Sequence, residues 1–152
     1  MAAPPEVTLS VALPSHPRYL RFVREMAGEA AELAGFATED RDRIEVAVVE
    51  GFTNVIRHGY GGRTDQRIEL RLAVPASRRS LRIEMEDWGT WVDPANMVSR
   101  PLDQVRPGGL GVHLMKAAMD VVEYRKNTHG GTTLVLEKRR EPPSDEATGG
   151  DR

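Results

Sequence analysis

The sequence predicts an α+β domain in which a mixed β-sheet carries its helices on one face, a two-layer sandwich. Three observations predict it. Apolar residues recur at three- and four-residue intervals in two consecutive segments from Pro17 to Gly59 and in a shorter one after Gly111. Elsewhere they alternate in steps of two, giving the order β-α-α-β-β-α-β-β. A chain of 152 residues, 39% hydrophobic and 29% charged, also has enough apolar material to bury one core.

Each element has its own signal. Glu6 to Leu13 alternates apolar and polar residues, as a half-buried strand does. Pro17 opens a helix whose Leu20, Val23, Ala27, Ala30, Ala31 and Ala34 form one stripe, and Gly35 is placed to end it. Thr38 is the expected N-cap of a second helix, with Glu39 and Asp40 in its first turn and Ile44, Val48, Phe52 and Val55 on its apolar face, stopping near Gly59. Arg67–Val74 and Leu81–Glu86 read as paired strands. Asp87 to Pro107 holds Pro94, Pro101 and Pro107 without periodicity, a long loop of the kind that carries function. A third helix, Val112 to Asp120, precedes two strands, Val121–Lys126 and Thr132–Lys138, joined at Gly130-Gly131. Residues 1–5 are expected to form a flexible lead and 141–152 a disordered tail, leaving 6–140 as the expected domain.

Composition excludes several classes of function. With no cysteine there are no disulfides, no thiolate catalysis and no cysteine-bound zinc. The four histidines make no HExxH pair. A net charge of −2 and the lack of a helix-turn-helix or concentrated basic face argue against direct nucleic-acid binding. No apolar run reaches the roughly 18 residues of a membrane span, so the expected location is the cytoplasm.

Four short patterns can carry chemistry. Glu50 and Asn54, four apart on a helix, project from one face, where a carboxylate can take a proton and an amide oxygen can ligate a hard cation. The same spacing also suits a solvated helix face. Asp87-Trp88-Gly89 ends a strand: the carboxylate can accept from an exocyclic amine and Gly89 lets backbone approach a ring, although an ordinary turn has the same composition. Gly108-Gly109-Leu110-Gly111 opens a helix, where free N–H groups and the helix dipole suit a phosphate, though a flexible connection reads alike. It is neither a Rossmann fingerprint nor a Walker A loop. Thr132 and Thr133 begin a strand, and one hydroxyl reaches Asp87 if the two strands lie side by side.

In combination and order, ExxxN, DxG, GGLG and GTT resemble the ATP-binding domain shared by gyrase, the ninety-kilodalton heat-shock chaperones and histidine kinases, the Bergerat-type fold. GFATEDRDRIEVAVVEGFTNVIRHGYGG, EDWGTW, GGLGVHLMKAAMDVVEY and GGTTLVLEKR are more closely similar to the anti-sigma serine/threonine kinases of bacterial stress and sporulation control, over about residues 6 to 139. The resemblance implies ATP and Mg²⁺ as cofactors. It implies Glu50 as general base toward a substrate hydroxyl and Asn54 as the Mg²⁺ ligand. Asp87 would bind the adenine amine, with Gly89 lining the ring and Thr132 assisting through a shared water. Gly109, Leu110 and Gly111 would offer N–H groups to the phosphates, His58 would border the nucleotide, and Arg24 on the first helix would contact partner proteins. The implied activity is a protein serine/threonine kinase that sequesters a sigma factor and phosphorylates an anti-sigma factor antagonist, working as a homodimer. The alternative is a binding module that regulates by holding a partner without turnover. Two departures bear on that choice. Trp91 stands where the family has a second glycine, and the stretch from Trp91 to Gly108 is short for the superfamily.

Overall fold

The computed structural model describes residues 6–91, 93 and 111–141. The chain runs β1 (Val7–Pro14), a 3₁₀ turn (Pro17–Tyr19), α1 (Leu20–Leu33), α2 (Thr38–Asn54), a π turn (Val55–Gly59), β2 (Arg67–Val74), β3 (Ser80–Asp87), α3 (Gly111–Ala118), β4 (Val121–Lys126) and β5 (Thr132–Arg139). The five strands lie in the order β1-β2-β3-β5-β4. The predicted α+β sandwich is therefore present, but the sheet is not mixed. All four pairings are antiparallel. α3 enters the chain between β3 and β4, yet β4 does not return beside β3. β5 occupies that place and runs opposite to both neighbours, so no parallel pair is formed among the described residues.

One face of the sheet is the core face. Ile68, Leu70, Leu72 and Val74 of β2, Leu81, Ile83 and Met85 of β3, and Leu134 and Leu136 of β5 are each no more than 2% exposed. The intervening residues of β2 and β3 alternate with them in exposure. Removing these side chains from water supplies the main driving force, about 25 cal/mol per Å² of apolar surface. The period of two carries one step further along β3 and sets Asp87 in the core register, 1% exposed.

α2 is the central helix, packed against α1 on one side and α3 on the other. Its predicted stripe of Ile44, Val48, Phe52 and Val55 is buried, together with Ala47, Gly51 and Asn54. Gly51 is needed for the approach to the sheet: a Cβ there would lie 2.9 Å from Leu134 Cδ2 and 3.3 Å from Met85 Cε. α1 ends as predicted at Gly35, which takes a φ of 82°, with Gly35 N–H donating to Glu32 O and Phe36 N–H to Ala31 O. The N-cap of α2 is Ala37 rather than Thr38. Ala37 has extended backbone (ψ 159°) and Thr38 is already helical, so the threonine side chain makes no cap bond.

The lead (residues 1–5), most of the long loop (92 and 94–110), and the tail from residue 142 lie outside the described residues. Among the described residues no helix is long and apolar enough to cross a membrane.

Candidate functional site

The end of β3 makes the first half of the site. Asp87 is held by two backbone N–H groups and one side-chain amide. Its Oδ1 accepts N–H bonds from Gly89 (3.0 Å) and Thr132 (3.1 Å), and its carbonyl accepts from Asn127 Nδ2 (2.8 Å). Oδ2 faces the chain at Gly59, where a Cβ would lie 2.9 Å from it. Burial pushes the Asp87 carboxyl above the usual carboxylate range, opposed by the Thr132 and Gly89 amides, while nearby Glu86 adds to the rise.

Three glycines make this packing possible. A Cβ at Gly89 would lie 2.0 Å from Gly59 O, and one at Gly131 would lie 2.2 Å from Asp87 O. Together with Gly59 they let three separate chain segments close around one carboxylate. The predicted Thr132–Asp87 contact exists, but it is made by the threonine N–H. The Thr132 hydroxyl is buried and has no hydrogen-bond partner among the described residues.

Glu50 and Asn54 form the second half, one helical turn apart near the C-terminal end of α2. The spacing also suited a solvated helix face. In the fold Asn54 is 6% exposed, and Glu50 is half-buried where α3 begins. The first residue of α3, Gly111, meets Glu50 directly: a Cβ there would lie 2.5 Å from Glu50 Oε2. Of the predicted phosphate loop, Gly111 is buried beside Glu50, whereas Gly109 and Leu110 lie outside the described residues.

The remaining predicted residues sit farther out. His58 is exposed on the π turn, although the next residue, Gly59, abuts Asp87. Arg24 lies on α1, in a groove of about 720 Å³ between α1 and α2 that also contains Leu20, Glu45, Val49 and Glu50. Its guanidinium Nε is 3.2 Å from Glu45 Oε2. Glu45 also meets Arg41, which bonds to Glu29 and Glu32 on α1. Trp91 donates its N–H to Gly130 O (3.1 Å), pinning the chain just past the DxG turn to the β4–β5 connection.

Some contributors were not singled out from the sequence. Tyr60 accepts the Trp88 N–H at 2.8 Å and donates to Arg67 O, tying the π turn to β2 and to the end of β3. Asn127 uses its carbonyl to receive the His129 and Gly131 N–H groups (3.0 Å each) while its amide holds Asp87 O. The Gly-Tyr pair immediately after the helix, and an Asn four residues before Gly131, are the only local signals for them.

A carboxylate fixed by backbone, a buried hydroxyl without a partner beside it, and glycines that admit close approach suit a planar ring bearing an amine. Half-buried Glu50 and buried Asn54, beside the N-terminus of α3, suit a phosphate chain with a hard cation. Residues 13–138 match the family model described as the histidine kinase-like ATPase domain. The chain belongs to that family. Within the histidine kinase-like ATPase family, it is 26% identical over 143 residues to serine-protein kinase RsbW of Bacillus pumilus, covering 86% of this chain and 84% of the relative. It is 28% identical over 138 residues to serine-protein kinase RsbW of Bacillus velezensis, with the same shares, and 28% identical over 138 residues to that of Listeria monocytogenes, covering 86% and 85%. In fold it is similar to the solved RsbU and RsbW domains of Rv1364c from Mycobacterium tuberculosis, with a TM-score of 0.62 and 22% identity, over 88% of this chain and 32% of that longer one.

Proposed function

We propose that this histidine kinase-like ATPase domain binds Mg-ATP and transfers its γ-phosphoryl group to a serine or threonine of a partner protein, acting in a sigma-factor switch. The observation that carries the reading is the contact of Gly111 with Glu50, one helical turn before Asn54, while Gly59, five residues beyond Asn54, abuts a separately fixed Asp87–Thr132 pair: one polar cluster for phosphates and another for a base. The names of its relatives, all serine-protein kinases, support the same choice.

Each residue then has a task. Asp87 accepts from the adenine amine, and Thr132 Oγ1 completes that contact through a shared water, which would give the buried hydroxyl its missing partner. Gly89 lines the ring. Gly109, Leu110 and Gly111 offer N–H groups to the phosphates, and His58 borders the nucleotide. Asn54 would hold Mg²⁺ through its amide oxygen; the ion supplies charge neutralisation on the phosphates, with most of its shell left to phosphate oxygens and water. Glu50 receives the proton of the attacking hydroxyl as that oxygen bonds to the γ-phosphorus and the bond to the β-phosphate breaks, releasing ADP. Arg24 stands in the same groove as Glu50, so a partner segment lying there would meet the cation and deliver its hydroxyl to the base. The partners are a sigma factor, held without chemistry, and an antagonist protein that receives the phosphoryl group, with a homodimer as the working unit.

The test is phosphotransfer from labelled ATP to the cognate antagonist by the parent protein and by Glu50→Ala, with calorimetry of ATP binding to both. Transfer by the parent alone, with equal binding by both, supports the kinase. Trp91 favours the second reading, a binding module without turnover, because an indole replaces a glycine at the mouth of the ring site and its backbone is tied to Gly130. Tight partner binding with no transfer by the parent would establish that reading instead.

A further inference from the structure

The two edges of the sheet are finished differently. β4 closes one edge and carries Glu123, Arg125 and Lys126, charges of the kind that keep an edge strand from pairing with another chain. β1 closes the other, and none of its 8 residues is charged. Val7, Leu9, Val11 and Leu13 stand opposite Val74, Leu72, Leu70 and Ile68 of β2, so they lie on the core face. The helix layer leaves part of that row open, and Leu9 is 44% exposed. α2 lies over β3 and β5, and α1 over β2, so the flank of α1 turned away from α2 is on the β1 side. That flank carries Phe22, 49% exposed, and Leu33, on the side of the helix away from Gly28, where α1 meets Glu45 of α2. Both layers therefore present exposed apolar side chains at this edge.

The backbone of β1 is open as well. Ser15 N–H donates to Gln66 O at 2.7 Å and extends the β1–β2 register by one residue. Antiparallel pairing alternates from that bond, turning the N–H and C=O of Leu13, Val11 and Leu9 toward β2 and those of Thr8, Ser10 and Ala12 outward. Pro14, with no N–H to give, falls in the outward set. We propose that a second copy of this chain pairs with this edge, its β1 antiparallel to the first about a two-fold axis at Ser10. In that register Ser10 meets Ser10 and Thr8 meets Ala12 as hydrogen-bonded pairs, and Pro14 stays at the margin. Leu9 meets Val11 and Val7 meets Leu13, so every core-face pair is apolar and no like charges meet along the strand. Glu6 falls opposite Pro14 of the second copy, in one row with Arg67 of its β2, which sets opposite charges at each end of the contact. The two five-stranded sheets become one continuous sheet, and Leu9 is covered. The inference rests on the homodimer named above and gives it a surface.

Ser10 is exposed, so its side chain can be replaced without disturbing the core. Parent, Ser10→Lys and Ser10→Glu are compared by sedimentation over a concentration series, after circular dichroism has shown each to be folded. The axis sets residue 10 against itself, so each charge variant should self-associate at least about 100-fold more weakly than the parent, while an equal mixture of the two should form a heterodimer. The chain has no cysteine, so Ser10→Cys introduces a single thiol, and it should oxidise to a disulfide-linked dimer because directly paired strand residues lie within disulfide reach. That variant decides the question if a charge variant does not fold. Charge variants that remain as dimeric as the parent, charge variants that stay monomeric when mixed, or a Ser10→Cys protein that does not cross-link would each overturn this interface and leave the homodimer standing. A monomeric parent would overturn the homodimer and this inference with it, leaving the edge to a strand from a different protein.

Discussion

Asp87 Oδ1 accepts the Thr132 backbone N–H at 3.1 Å across the β3–β5 pair, while the Thr132 hydroxyl is buried and has no partner among the described residues. The two residues occupy the polar end of an otherwise apolar sheet face, where Met85 and Leu134 are the preceding pair in register. Under the proposed function, this carboxyl and hydroxyl are the groups a bound amine would meet.

Asp87→Asn should therefore keep the fold and lose adenine recognition. The amide carbonyl can still accept from Gly89 and Thr132, so neutral-pH stability should be no lower than that of the parent. Nucleotide affinity should fall by at least about 10-fold, the equivalent of one good hydrogen bond to a charged group. Calorimetry with ATP checks this.

The same variant should change the pH dependence of stability. Burial raises the Asp87 pKa in the folded state, so the folded protein holds that proton more tightly than the unfolded chain. The group accordingly favours folding below the unfolded carboxylate value and loses that contribution as pH rises through the raised folded value. Denaturation of the ligand-free protein across that acidic range should show the parent gaining relative to Asp87→Asn as pH falls. A gap independent of pH would contradict it.

Gly89→Ala should destabilise the whole domain, since its Cβ would meet the backbone oxygen of Gly59, which cannot swing aside. A loss of about 3 kcal/mol is expected from overpacking of this kind, readable in urea denaturation. The effect should be independent of nucleotide chemistry.

Gly111→Ala should behave in the opposite way. Its Cβ would meet the Glu50 carboxylate, the far end of a flexible side chain, so stability should change little. Displacing that carboxylate should lower phosphotransfer by about 10–100-fold, with nucleotide affinity much less affected. Single-turnover transfer and calorimetry on the same preparation separate the two.

Arg24→Ala should weaken partner binding by about fivefold, in the range of a half-exposed ion pair, and should flatten the salt dependence. Because Arg24 already touches Glu45, part of its charge is engaged before any partner arrives. Affinity measured for the cognate partner over a salt series checks both effects.

The sequence by itself determined which residues form the strands, because hydrophobic period is a local property. Arg67–Val74 and Val121–Lys126 begin and end where the alternation does, and Gly35 ends α1 because its positive φ is written into its chemistry. The order of ExxxN, DxG, GGLG and GTT likewise marked Glu50, Asn54, Asp87 and Thr132 before any geometry. Strand direction was not legible, since nothing local to β4 or β5 says which neighbour each will choose, and β5 took the place beside β3.

Tertiary structure also decided what the marked residues touch. Gly111 meets Glu50 because α3 packs on α2, a contact between segments more than fifty residues apart. Thr132 reaches Asp87 through its backbone because strand register sets N–H groups, not hydroxyls, between paired strands. Gly59, Tyr60 and Asn127 joined the site for the same reason: their effect on Asp87 and Trp88 passes through space, and a chain read in one dimension holds no record of which distant segments will close around one carboxylate.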